Sequence, residues 1–451
     1  MQLAEQALAR IAEQDARHHA FVATTRERAL AEAAAAEREL ARGESRGPLH
    51  GIPYAAKDLF DVAGEATGAG THLLAGNIAD DDATVVRRLH ATGTVLIGKT
   101  HTVQFAYGGV GINHDTGTPR NPWRSDEAFV PGGSSSGSAV AVAAGLVPFA
   151  LGTDTSGSVR VPASLCGITG LKTTVGRVSR AGVYPLSPTL DSVGPLARSA
   201  ADCALVYEAV QGADPGDTAT FGQQPHDVTR SLDSGIAGMR LAIIETMFFD
   251  GADPAVVAAV RAAAAVLTGL GAEVSSIEAP EIDEVMGGTD APHRGRTVAA
   301  EGCVVNRRFL EESFDALDPV VARRMLPGIE LSAVDFLEAF EVWRRLRDSF
   351  AARTDGIDAF LVPSTMLPAR PVVAVDATPE SYARFNADYL RNTSIGNRLE
   401  WCGLSVPCGF TADGLPVGMT IHAPAMHEHV ALRVGHAYQQ ATDWHRRRPS
   451  D

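Results

Sequence analysis

The chain has no apolar run long enough to cross a bilayer: the stretch 139–152 is short and is broken by Gly145 and Pro148. It has no basic cluster beyond Arg446-Arg-Arg448, and its net charge is −15. Neither nucleic acid nor an anionic membrane is therefore expected as a partner. Cysteine is sparse, with five residues at 166, 203, 303, 402 and 408 and no pair at metal-ligand spacing. Reduced thiols in a cytoplasmic protein are expected. Near Met1 no basic segment leads into an apolar core, so a secretory signal is not expected. Histidine shows no H-x-x-x-H pair, which argues against a metal centre.

What is present is an ordinary globular composition, 45% hydrophobic and 21% charged. Residues 1–42 read as two helices, the first with Leu3, Ala7, Leu8 and Ile11 on one face. Asp82 is placed to cap a helix over 82–92. Strands are read at 51–62, 93–100, 146–151, 240–244, 272–277, 358–363, 404–410 and 417–421, and helices at 199–211, 254–270 and 427–444. Alternation of this kind predicts an α/β protein built around one large sheet. The polar stretch 212–234 reads as a linker. The expected layout within a single domain, 1–451, is an N-terminal helical arm (1–45), a core carrying the candidate site (50–215), and the rest of the sheet with the pocket helices (235–451).

One unit organises the chain. Pro131-Gly-Gly-Ser-Ser-Ser-Gly-Ser138 opens a small apolar helix, and a strand then delivers Gly152-Thr-Asp-Thr-Ser-Gly-Ser158. Both loops concentrate hydroxyls and backbone N–H groups, the parts that acyl transfer needs. Gly51-Ile-Pro-Tyr-Ala-Ala-Lys57 is a strand with one lysine among apolar residues. Such a lysine either reaches the surface or is buried with a depressed pKa as a neutral base. Gly93-Thr-Val-Leu-Ile-Gly98-Lys99-Thr100 matches a phosphate-loop pattern. Its inner residues read as a strand following a helix, however, which is the wrong order for a nucleotide cradle. The irregular stretch 101–130 is a candidate site wall, with His101 and His114 read as polar loop residues.

Three nucleophiles fit parts of this pattern. Ser135 could sit in a G-x-S-x-G elbow, Gly133-Ser-Ser-Ser-Gly137, as in an α/β-hydrolase-like esterase, with His422 or His427 as base. Pro131-Gly132 precedes it instead of a clean strand. Cys166 could act with Lys57, but Ala163-Ser-Leu-Cys-Gly167 reads as packed interior. The third scheme uses both loops together with Lys57.

Through that third set the chain resembles the amidase signature family over nearly its whole length. The motifs are Gly51-Ile-Pro53 with Lys57-Asp58, Gly132-Gly-Ser-Ser-Ser-Gly-Ser138, Gly152-Thr-Asp-Thr-Ser-Gly-Ser158-Val-Arg160, Gly170-Leu-Lys172, Gly194-Pro195 and Ser405-Val-Pro-Cys-Gly409. The resemblance implies a mixed central sheet with helices on both faces. It implies a triad of Lys57 as base, Ser134 as relay and Ser158 as nucleophile, with a cis peptide between Ser134 and Ser135. The 24-residue interval from Ser134 to Ser158 matches the family's. The backbone of Thr155, Ser156, Gly157 and Ser158 would form the oxyanion hole. Gly132, Gly133, Tyr107, Asp154, Arg160 and Leu390 would line the substrate site, with Arg160 holding Asp154 or a loop carbonyl or, as the lesser alternative, gripping a substrate carboxylate. The implied reaction is hydrolysis of a small organic amide through an acyl-enzyme, without metal or organic cofactor. Carbamates, ureas and esters fall within the same chemistry, and homodimers occur among relatives.

Several positions depart from the family. Ser136 and Ser156 stand where many members carry glycine. Asn397-Arg-Leu-Glu-Trp401 replaces the usual N-L-A-G-L. In the family's glutamine-hydrolysing subunit, which makes ammonia for tRNA amidation, an acidic residue seven positions before this Asn holds glutamine. Leu390 stands there, which implies a less polar acyl pocket. A glutaminase-type subunit of a tRNA-dependent amidotransferase is the alternative, and a non-catalytic scaffold is a third reading. Substrate specificity is assigned to 101–130 and 290–400.

Overall fold

The apolar runs form strands, and those inside the sheet, such as Pro53–Lys57, Phe149–Asp154 and Ser192–Ala197, are buried from end to end, whereas the edge strands Phe21–Thr24 and Glu273–Ile277 are largely exposed. In the computed structural model, which describes residues 1–287 and 296–450, the strands are β1 (Phe21–Thr24), β2 (Pro53–Lys57), β3 (Val95–Thr100), β4 (Phe149–Asp154), β5 (Thr169–Lys172), β6 (Ser192–Ala197), β7 (Arg240–Ile244), β8 (Glu273–Ile277), β9 (Ala359–Pro363), β10 (Cys402–Phe410) and β11 (Pro416–Ala423). They make one sheet in the order β1-β3-β2-β4-β6-β5-β10-β11-β9-β7-β8. Pairing is parallel between β2 and its neighbours β3 and β4, and between β7 and its neighbours β8 and β9. It is antiparallel in the other pairs, so the sheet is mixed.

Side chains alternate between the two faces, as the pleat requires. Tyr54, Ala56, Phe149 and Leu151 join a core with helices Thr84–Ala91, Ala200–Val210, Pro254–Gly269 and Glu428–Ala441. Ala55 and Ala150 point the other way, into a core with Gln2–His18, Arg26–Ala41, Ser136–Ala143 and Arg160–Cys166. Helices therefore cover both faces of a single α/β domain. Among the described residues no helix is long and apolar enough to cross a membrane.

The N-terminal arm is not purely helical. Between its two helices β1 joins the sheet edge antiparallel to β3, pairing Phe21 with Thr100. Four residues are too few to show a strand period. Asp82 does not cap helix Thr84–Ala91; its carboxylate takes two bonds from Arg28 at 2.7 Å and the N–H of Ala63 at 2.8 Å. The polar stretch after Val210 is tied down: Arg88 donates to the carbonyls of Val210, Gly212 and Ala213, and Arg180 holds Asp217 at 2.9 Å. Gly93 takes φ +79 directly after a helix and before β3, which is helix termination and not a phosphate loop.

Helix Pro379–Arg398 has clear start signals, Pro379 in its first turn and a capping box between Thr378 and Ser381. Its buried face carries Asn386, Asn392, Thr393, Asn397 and Arg398, so apolar periodicity does not reveal it. Residues 290–295 of the assigned specificity region lie outside the described residues.

Candidate active site

Lys57 is the last residue of β2 and points to the same face as Ala55, where helix Ser136–Ala143 packs. That register brings its Nζ to 2.7 Å from Ser134 Oγ, just before the helix begins. On the adjacent parallel strand, Thr153 of β4 accepts a second bond from Nζ at 2.8 Å. Lys57 is fully buried. Burial draws its pKa from 10.5 to about 7, against the pull of Asp191 and Asp154, so much of it is neutral near pH 7.

β4 ends at Asp154, and the chain turns through residues 155–159 into helix Arg160–Cys166. The turn depends on Gly157, at φ +138, where a Cβ would lie 2.1 Å from Thr393 Oγ1. Asp154 anchors it. Its carboxylate accepts the Gly157 N–H at 2.8 Å and the Val159 N–H at 3.1 Å. Arg160 donates to it at 2.9 and 3.1 Å, and Asn397 at 2.9 Å. Burial opposes ionisation of Asp154, but the Arg160 guanidinium outweighs it and holds the carboxyl well below the usual range.

Ser158 emerges from this anchored loop. Its carbonyl accepts the Ser135 N–H at 3.2 Å, which clamps the two serine loops together. Among the described residues its hydroxyl has no hydrogen-bond partner. It opens into a cavity of about 370 Å³, also lined by Tyr107, Thr155, Ser156, Leu390 and Arg398. The backbone N–H groups of Thr155, Ser156 and Ser158, three residues that line this cavity, likewise have no acceptor among the described residues.

Several sequence expectations need correction. The cis peptide is Gly133–Ser134, one bond earlier than expected, where Gly133 threads between Gly108 and Gly111 with no room for a Cβ. The Gly157 N–H cannot serve an oxyanion, because the Asp154 carboxylate takes it. Of the two roles open for Arg160, the structure shows the pairing with Asp154: both are fully buried and bonded to each other, so the substrate-contact reading of the two is corrected. Arg160 also donates to Thr393 O at 2.9 Å and Asn397 Oδ1 at 2.5 Å. Gly132 and Gly133 are buried, with their N–H groups spent on Val110 O at 3.2 Å and Gly109 O at 2.8 Å. Tyr107 and Leu390 do line the cavity.

The rival nucleophiles lack what they need. Ser135 Oγ donates to Thr153 O at 3.2 Å and is fully buried. His422 Nδ1 faces Cys402 O at 3.1 Å and His427 Nδ1 faces Ala425 O at 2.8 Å, so neither histidine is bonded to Ser135. Burial pushes the Cys166 thiol far up, and its Sγ lies on Pro131 O at 3.3 Å.

Sequence reasoning missed Thr153, the second partner of Lys57, although it sits inside the quoted Gly152–Ser158 motif. It also missed Asp191. That carboxylate accepts Thr155 Oγ1 at 2.5 Å and the N–H groups of Leu186 at 2.9 Å and Ser187 at 3.0 Å, bracing the loop from the other side.

A family model described as Amidase matches residues 2–432. The chain belongs to the amidase family. It is accordingly an amide-hydrolysing enzyme of the amidase signature type. A glutamyl-tRNA(Gln) amidotransferase subunit from Chromohalobacter salexigens is 38% identical over 468 residues, covering 100% of this chain and 94% of that protein. The native peptide amidase from Stenotrophomonas maltophilia superposes with a TM-score of 0.84 at 32% identity, covering 100% of this chain and 94% of that one. The equivalent glutamyl-tRNA(Gln) amidotransferase subunit from Thermotoga maritima does so at 0.80 and 28% identity, covering 97% and 91%. These relatives overturn the exclusion of nucleic acid. Net charge speaks to what a chain's own surface attracts, whereas a relative this similar is one component of an amidotransferase named for tRNA.

Proposed function

We propose that this amidase works through an acyl-enzyme on Ser158, with Lys57 as general base and Ser134 as proton relay. The observation that carries the reading is the fully buried Lys57 Nζ, 2.7 Å from Ser134 Oγ and with a pKa near 7. Ser158 Oγ attacks the amide carbonyl while its proton passes through Ser134 Oγ to neutral Lys57. The tetrahedral oxyanion is held by the N–H groups of Thr155, Ser156 and Ser158, each donor worth about 3 kcal/mol. Collapse expels the amine, which takes the proton back along the same path. Water then attacks the ester, passing its proton through Ser134 Oγ to Lys57, and collapse returns that proton to Ser158 Oγ as the acid is freed.

Two amide donors are in view. The 38% identity to a tRNA amidotransferase component, spanning the whole chain, supports glutamine as donor, with the released ammonia passed to partner proteins. The similarity to a peptide amidase and the apolar Leu390 in the cavity wall support a small organic amide hydrolysed by the chain alone. Assaying the purified chain for glutamine hydrolysis, alone and with added partner proteins, against a panel of simple amides separates them. Glutaminase activity that depends on partners selects the first reading, and turnover of simple amides by the chain alone selects the second. Unimpaired turnover in Ser158→Ala sinks the mechanism common to both.

A further inference from the structure

Arg398 ends helix Pro379–Arg398 and lines the cavity into which Ser158 opens. It stands at the position where the chain departs from the family motif, Asn397-Arg in place of N-L. The residue is only 7% exposed. One terminal nitrogen reaches Val285 O at 3.4 Å and Met286 Sδ at 2.7 Å, and the guanidinium lies 5.5 Å from the Trp343 ring centroid. None of these partners is charged. The donors on Nε and on the other terminal nitrogen have no acceptor among the described residues, and no carboxylate there pairs with the group. Burial lowers the guanidinium to about 10, with no counter-ion offsetting it.

The other charged groups on this wall are Arg391, Asp388 and Arg324. Arg391 donates to Asp250 O at 2.7 Å and Phe248 O at 3.2 Å. Asp388, half-buried at the rim, lies in the field of Arg384 and Arg391. Arg324 donates to Tyr107 O at 3.0 Å and lies over the Tyr107 and Tyr382 rings; among the described residues it too has no carboxylate partner, but it is packed against two aromatic faces. Arg398 is a buried cation on the cavity wall, with three donors that have no acceptor among the described residues. Buried charges persist when something pairs with them, and a planar guanidinium fork matches a carboxylate.

We propose that Arg398 binds a carboxylate carried by the acyl group, so that the preferred substrates are monoamides of dicarboxylic acids. The apolar side chains of Leu390, Met286 and Val298 on the same wall suit the methylenes between the two ends. The inference rests on the amide-hydrolase reading and adds the substrate class.

The test compares matched pairs on the wild-type enzyme: succinamate with butanamide, and glutaramate with pentanamide. The anionic member of at least one pair is expected to have kcat/KM higher by about tenfold or more, mainly through KM. Arg398→Leu should collapse that ratio towards one. Equal or reversed ratios in the wild type, or a ratio that survives Arg398→Leu, overturn the proposal. Should neither member of any pair be hydrolysed, the simple-amide reading fails and binding decides. Succinate and glutarate are titrated calorimetrically into Ser158→Ala and into the double variant Ser158→Ala, Arg398→Leu. Binding that is lost in the double variant supports the carboxylate site, and absent or unchanged binding overturns it.

Discussion

Replacing Lys57 by Met should give a protein that is inactive and more stable. The lysine sits in a fully buried site whose folded-state pKa is about 7 against an ordinary value of 10.5. Between those values the unfolded chain binds a proton that the folded chain does not, so stability rises with pH across that window. Below about pH 7 the displacement costs the folded state about 5 kcal/mol, and at pH 7 about 4 kcal/mol. Met fills a similar volume without the charge. The substitution loses the bonds to Ser134 and Thr153, worth about 1 kcal/mol each. The net expectation is a gain of about 2 kcal/mol at pH 7, vanishing near about pH 9 and turning into a deficit of about 1 kcal/mol by about pH 10. Urea unfolding at several pH values reads this directly, and kcat measured in parallel should fall by a factor of about 10² to 10⁴ or more. A variant that is less stable than wild type at pH 7, or that keeps most of its activity, refutes the reasoning.

Ser134→Ala should lower kcat by about 10²- to 10⁴-fold with little change in KM, because it cuts the relay while leaving the cavity intact; steady-state kinetics check this. Asp154→Asn should destabilise by about 3–5 kcal/mol, since it strands the fully buried Arg160 guanidinium, and the loss should appear as a shifted denaturation midpoint. His114 bridges Asp318 at 2.8 Å and Asp376 at 2.9 Å; the bond to Asp318, against the penalty of burial, raises it from 6.5 to about 9. Its contribution is full below about pH 6.5 and is lost as pH rises through about 9, so the Tm deficit of His114→Gln should shrink over that window.

Much of the site was legible because its parts are local. Lys57 closes a strand, and Ser134 and Ser158 lie in two short loops whose glycines and hydroxyls stand out. What was not legible depends on contacts between distant segments. The Arg160–Asp154 pairing lies within one motif and is open to sequence reading, but both residues also bind Asn397, which lies on a helix more than two hundred residues later. That helix carries start signals at Thr378 and Pro379, but its buried face is largely polar, so apolar periodicity does not trace it. β1 was too short to betray a period, and its pairing with β3 exists only once the sheet has formed. Lys99 and Lys172 are buried like Lys57 but held differently, the first by Asp58 at 2.9 Å and the second by the carbonyls of Thr173 at 2.9 Å and Trp401 at 2.8 Å. Burial therefore does not by itself single out the base; the hydroxyl partners do.

The most direct test of the account is the pH dependence of covalent labelling by a fluorophosphonate, with the adduct located by mass spectrometry. The account predicts modification of the peptide bearing Ser158, at a rate that climbs about tenfold per pH unit up to about pH 7 and then levels off, and that is abolished in Lys57→Met. Labelling at Ser135 or Cys166, or a Ser158 rate that ignores both pH and the loss of Lys57, would contradict it.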